Sequence, residues 1–177
     1  MRQKNTETDA FGLPFDAKEF ANLILDWADA IAVPITPMKL QKLLYYCHAD
    51  FLSLYGKPLI DDQFEAWQFG PVMPSVFQEF KQFSGSSILS RAKRFNPVTA
   101  VVEIAPPCRL GDVELQVKAL FNLYVRFSAT RLSNMSHVEN GPWSEALTRF
   151  DRGINPGRRI SNDLIRGYHQ GLVNPLH

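Results

Sequence analysis

Apolar residues recur at helical spacing through most of the chain. Phe20, Leu23, Ile24, Trp27 and Ile31 share one face of a helix. It opens on Asp16 and Glu19, a capping-box-like start in which one carboxylate accepts from first-turn amides while the other reaches back. Pro34 ends it. Thr36 and Pro37 restart the pattern, a good N-cap followed by a proline whose missing amide would have been unpaired anyway. Leu40, Leu43, Leu44, Cys47, Phe51 and Tyr55 then form a strong stripe, with Lys39, Lys42, His48, Asp50 and Ser53 elsewhere on the wheel. Gly56 and Pro58 close this second helix, glycine suiting a left-handed cap.

Residues 59–69 read as irregular or briefly extended chain, and Gly70-Pro71 as a sharp turn. A third helix from Pro74 carries Val76, Phe77, Phe80 and Phe83 inward. Residues 84–90 are a serine-rich loop. The β-branched run 98–104 predicts a strand pairing with the segment near Trp67, and Pro106-Pro107 ends it. Asp112 caps a fourth helix with Val113, Val117, Leu120, Phe121 and Tyr124 on one face, widened by Leu123 and Phe127. A helix apolar over so much of its circumference is usually surrounded, which puts 112–127 at the centre. A short helix over 142–150 and a last one through Leu164, Ile165 and Tyr168 follow a loop at 153–157. No internal repeat or low-complexity segment is present.

These elements predict a mainly α protein. It is a single compact domain over 15–177, of about six helices around the central 112–127 helix, with at most a two- or three-stranded β element. Residues 1–14 read as a polar, flexible leader from which Phe11, Leu13 and Phe15 could dock. A chain of 177 residues suits one domain better than two. No stretch approaches the roughly 18 apolar residues of a membrane span. Two cysteines, Cys47 and Cys108, give no disulfide framework and suit a reducing cytoplasm. The formal charge of +1 argues against nucleic acid as the default partner. Arg91, Lys93 and Arg94, with Arg158-Arg159, are the candidates for a local basic patch.

Candidate chemistry is sparse. His137 and Glu139, near Trp143, could polarise a proton or ligate a metal. Metal sites need three or four ligands, however, and no His-x-x-x-His or Cys-x-x-Cys pair occurs here, so neither a metal nor a cofactor is expected. The structural alternative, pairing with backbone at a helix end, is preferred. Cys47 and His48 are adjacent on a helix and point about 100° apart, too far to form a dyad. The sequence implies a core thiol beside a surface imidazole. His169 and His177 carry no recognisable spacing. Gly70-Pro71-Val72 lacks the glycines and the Lys-Ser/Thr of a phosphate cradle. Trp67, Phe69, Phe77, Phe80 and Phe83 are core aromatics by the usual odds.

Three motifs together carry a resemblance. Ile35-Thr36-Pro37-Met38-Lys39-Leu40-Gln41-Lys42-Leu43-Leu44-Tyr45-Tyr46 resembles the "ITPLKLQKLLYY" opening of the Panacea domain, the SocA-like antitoxin family. Tyr55-Gly56-Lys57-Pro58-Leu59 and Glu65-Ala66-Trp67-Gln68-Phe69-Gly70-Pro71-Val72-Met73-Pro74 are similar to its second block. Leu132-Ser133-Asn134-Met135-Ser136-His137 with Pro142-Trp143 is similar to its third. Ser136 stands where threonine is usual and Phe77 where tyrosine is common. The leader and the 98–107 insert have no counterpart in the motifs.

The resemblance implies a non-enzymatic antitoxin, often carried on phage or mobile elements. Such a protein neutralises a cognate toxin encoded beside it by direct binding, in one kind as an adaptor that delivers the toxin to a cellular protease. It also implies that Thr36, Pro37, Leu40, Lys42, Leu43, Tyr45, Trp67, Gly70, Pro71, Val72, Leu132, Ser133, His137 and Trp143 are structural. Partner contacts are expected on an exposed rim of the second helix and the turn after it: Lys39, Lys42, Tyr46, His48, Asp50 and Gln68. Tyrosine with charged neighbours is a usual interface composition. The rival readings are a phage-encoded protein that binds and inhibits a host defence protein, an enzyme using His137 and Glu139, and a DNA-binding autorepressor using Arg91, Lys93 and Arg94. Which toxin is bound, masking versus degradation, self-association and host or phage origin are left open by the residues.

Overall fold

The computed structural model describes residues 12–155 and 157–173. Readings that rest on 1–11, Phe11 included, or on His177 lie outside them. Seven α-helices and two small antiparallel sheets occur among the described residues: α1 Ala17–Ala30, α2 Pro37–Tyr55, β1 Phe64–Trp67, β2 Gly70–Val72, α3 Pro74–Phe80, β3 Lys93–Asn96, β4 Val101–Ile104, α4 Glu114–Tyr124, α5 Ala129–Ser136, α6 Pro142–Asp151, β5 Arg159–Ile160 and α7 Asn162–Val173. The fold is mainly α, as the periodicity implies.

The capping chemistry lies where the local sequence puts it. Asp16 accepts from the amides of Lys18 and Glu19, and Thr36 from that of Lys39. Gly56 ends α2 at φ +68°, a conformation that favours glycine. Leu13 and Phe15 are buried in the core, and Phe15 pairs with Ile60.

The central helix is α2, not α4. Positions 40–49 of α2 are buried without a break, and the helix packs against α1, α3, α4, α5, α7 and β2. The expectation for 112–127 fails because Leu115 and Leu123 face solvent, 83% and 47% exposed. Apolar width around a helix marks its burial only when every apolar residue finds a neighbour. In α2 the opposite holds: Gln41, Lys42 and His48 are polar and yet fully enclosed.

The strand pairing also differs from expectation. β4 pairs with β3 in a local hairpin, Phe95 opposite Val102, rather than with the segment near Trp67. Closing a short loop costs less entropy than a long-range pairing. β1 pairs instead with β2, Trp67 opposite Gly70, and with β5, Phe64 opposite Ile160. The hairpin is rooted to α1 by Asn22, whose buried amide donates to the carbonyls of Ala92 and Ala105 and accepts from the Ala92 amide. Among the described residues no helix is long and apolar enough to cross a membrane.

Candidate functional site

The β1–β2 turn is where the three sequence motifs meet. Backbone carbonyls of the turn and of the strand residues that flank it face neighbouring helices, and a buried carbonyl left unmatched costs about 1–3 kcal/mol. Four side chains, three from helices and one from the residue that caps α5, meet them. Trp143 Nε1 of α6 donates to the Trp67 carbonyl at 2.7 Å, and Ser133 Oγ of α5 to the Phe69 carbonyl at 2.9 Å. Lys42 Nζ of α2 donates to the Pro71 carbonyl at 2.8 Å. His137 Nε2 lies 3.1 Å from the Gln68 carbonyl. Gln41 then clamps Met73, two residues beyond Pro71, accepting from its amide at 2.7 Å and donating to its carbonyl.

Gly70 has no room for a side chain. Its φ is +98°, and a Cβ there would overlap Ser136 Oγ and sit 2.7 Å from Lys42 Nζ. The turn is thus threaded between a serine of α5 and the lysine of α2, which explains a Gly-Pro pair at this point without a phosphate.

Lys42 is 1% exposed, and burial lowers its amine to about 7. His48 is fully buried. The Ile60 amide can only donate, so Nδ1 accepts from it, and Nε2 carries the proton to Asn162 Oδ1 at 2.9 Å. Burial holds this imidazole down at about 4. Tyr46, 4% exposed, donates its hydroxyl to the Leu132 carbonyl. The expected exposed rim of α2 is therefore corrected for Lys42, Tyr46 and His48: each finds its polar partner inside the protein. Lys39 and Asp50 are half-buried and Gln68 is exposed.

The remaining motif residues are packed. Leu40, Leu43 and Leu132 have no exposure, and Tyr45 stands edge-on to Phe64 at 5.3 Å. Thr36 and Pro37 start α2, and Val72 is buried in β2.

The catalytic reading of His137 and Glu139 finds no matching geometry. The imidazole lies between the Ser133 carbonyl, 2.6 Å from Nδ1, and that of Gln68, against the Trp143 ring at 4.2 Å. Glu139 is exposed. Cys47 is a buried core thiol pushed up by burial. The basic cluster is met by carboxylates: Arg91 pairs with Asp26 at 2.8 Å and Asp29 at 2.5 Å, and Arg94 with Glu19 and Glu103. That neutralises much of the field a phosphate backbone would need.

Outside the turn lies an apolar groove of about 330 Å³, whose walls include Met38, Trp67, Phe69 and Phe77, with Lys42 and Gln68 also lining it. Trp67 is held edge-on to Phe77 at 4.9 Å, and its Nε1 donates to Glu65 at 2.9 Å. Phe69 is 61% exposed, so the aromatic at the turn's tip is displayed rather than packed, unlike the core role expected of it. Sequence reasoning missed the buried clamp Gln41, the close approach of Ser136 to Gly70, and a cluster of Asp50, Tyr124 and His169 assembled from α2, α4 and α7. Nothing in local spacing signals a contact between residues so far apart in the chain.

Comparison with known proteins agrees with the motifs. The family model of the SocA-like antitoxin Panacea domain matches residues 40–144. A curated relative, Antitoxin SocA of Caulobacter vibrioides (strain NA1000 / CB15N), is 36% identical over 151 residues, covering 85% of this chain and 80% of that protein. No solved structure matches the chain. With the family model covering more than half of the chain and the relative most of it, the chain belongs to the SocA-like antitoxin family and carries its Panacea domain.

Proposed function

We propose that this protein is a cytoplasmic antitoxin that neutralises a cognate protein toxin, encoded beside it, by direct binding at the groove bordered by Trp67, Phe69 and Phe77. The observation that carries this is the exposure of Phe69 (61%) at the tip of a turn whose neighbouring carbonyls are held by Trp143, Ser133 and Lys42. A displayed aromatic on a rigid support binds with little loss of side-chain freedom, and such anchors dominate interface energetics. Family membership and the printed name of the relative support the antitoxin role. Delivery of the bound toxin to a protease is the extension of the same reading, with the groove as the toxin-facing surface.

The test is co-expression with the product of the adjacent gene. Wild type is expected to restore growth and to co-purify with that product, and Phe69→Ser to do neither while staying folded. A harmless neighbour, or a Phe69→Ser variant that protects as well as wild type, overturns the proposal.

A further inference from the structure

A second cavity, of about 250 Å³, opens among α2, α4, α5 and α7. Its polar lining includes Tyr45, Tyr46, Asp50, Tyr124, Ser136 and His169. Asp50 Oδ1 accepts from His169 Nδ1 at 3.0 Å, and Oδ2 from the Tyr124 hydroxyl. A carboxylate has about four acceptor sites, so two remain beyond these contacts. Its side chain keeps 16% exposure. Tyr45 is 2% exposed and lines the cavity, yet its hydroxyl has no hydrogen-bond partner among the described residues. By contrast the Tyr46 hydroxyl is committed to Leu132. Met135 and Leu172, 38% and 60% exposed, are apolar members of the same lining that reach solvent.

These features select one kind of ligand. Asp50 is the only acid in the lining among the described residues, and it repels anions. Burial first, and then the Asp50 charge, pushes the Tyr46 phenol up, so that ring stays a neutral wall. A neutral apolar group would bury the carboxylate and the Tyr45 oxygen without a match, at a desolvation cost. The volume is below the roughly 300–1,000 Å³ of cofactor and drug-sized sites, so a single side-chain-sized group fits. A planar cation supplies fork-like donors for carboxylate and phenol oxygens and stacks on aromatic rings, while its alkyl stem lies along apolar surface.

We propose that this cavity binds a guanidinium on an aliphatic stem, the chemistry of an arginine side chain, with Asp50 as counter-charge, the Tyr45 oxygen as a second acceptor, and Met135 and Leu172 along the stem. The site is separate from the Trp67–Phe69 groove and stands whether or not that groove binds toxin. A protein-borne arginine and a free guanidinium metabolite share this chemistry.

The full chain, isotopically labelled at tyrosine, is titrated at pH 8 with Nα-acetyl-arginine methylamide, with agmatine, and with Nα-acetyl-citrulline methylamide as the neutral isostere. Saturable shifts of Tyr45 and Tyr168 resonances are expected with a guanidinium probe and not with citrulline. Capped arginine binding at least as tightly as agmatine assigns the site to a protein partner, and the reverse order to a free metabolite. Asp50→Asn is expected to weaken binding about tenfold or more, the loss of one charge-assisted contact. Tyr45→Phe keeps the ring and is expected to weaken it severalfold, with an unchanged melting temperature, which covers the case in which Asp50→Asn does not fold. Equal binding of citrulline, no saturable response to either guanidinium, or a Tyr45→Phe variant with undiminished affinity overturns the assignment.

Discussion

The Lys42 Nζ donates to the Pro71 carbonyl at 2.8 Å from a side chain that is 1% exposed. A single carbonyl is a modest partner for a buried ammonium, and desolvation accordingly lowers the amine to about 7 from its ordinary 10.5. Between those values the unfolded chain binds more protons than the folded one, so stability rises with pH through that window and the contribution is flat below it. Wild type is expected to gain stability from pH 7 to 9 with a slope of up to about 1.4 kcal/mol per pH unit. Lys42→Met is expected to flatten that slope. Urea unfolding midpoints of both proteins across pH 6–9 check this, and parallel profiles would show that Lys42 is not the group responsible.

The same lysine limits what Gly70 can become. Gly70→Ala places a methyl against Lys42 Nζ and Ser136 Oγ and forces an L residue to φ +98°. Strain and overpacking together are expected to cost at least about 2 kcal/mol. Adding Ser136→Ala removes one of the two clashes, and a double-mutant cycle by denaturant unfolding is expected to recover part of the loss. A Gly70→Ala protein as stable as wild type would mean that the turn relaxes freely away from α5.

What the sequence could and could not disclose follows from this neighbourhood. Asp16, Thr36 and Gly56 act on amides and carbonyls within a few positions, so their spacing was enough to read them. The burial of Lys42 and His48 depends on carbonyls, amides and side chains delivered from β2, the α2–β1 connection and α7. A lysine or histidine off the apolar stripe looks solvent-facing until such partners are known. For the same reason α4 looked central: Leu123 widens its apolar face in the sequence but finds no neighbour that covers it. The family motifs were legible as motifs, yet the convergence of Lys42, Ser133, His137 and Trp143 on carbonyls of one turn appears only when α2, α5 and α6 are brought together.

His48 offers an acid-side test. Its Nδ1 accepts from the Ile60 amide, so protonation at that atom sets donor against donor, and burial keeps the group neutral down to about 4. Relative to an unfolded value near 6.5, the folded state resists a proton that the unfolded chain takes up. Stability is expected to fall as pH drops from about 6.5 toward 4, and a His48→Gln variant to lack that part of the decline. Following the His48 ring proton by NMR checks the origin directly: a signal that titrates near neutral pH would place the imidazole in a wetter site than the one described.

Trp67 and Phe69 sit two positions apart but should separate stability from recognition. Trp67 packs on Phe77, donates to Glu65, and lends its carbonyl to Trp143. Trp67→Ala therefore removes a packed ring and is expected to destabilise by about 2–4 kcal/mol. Phe69 keeps 61% of its surface in water, and its backbone carbonyl, not its ring, receives Ser133. Phe69→Ser is thus expected to leave the unfolding midpoint within about 0.5 kcal/mol of wild type. If the ring is an interface anchor, the same variant should lose at least about 2 kcal/mol of toxin affinity, some thirtyfold in Kd. Calorimetric titration of the toxin into each folded variant distinguishes the two roles. A Phe69→Ser protein with intact affinity would move the recognition surface off this groove, because no other ring at the turn's tip is so far exposed while its backbone is so firmly held.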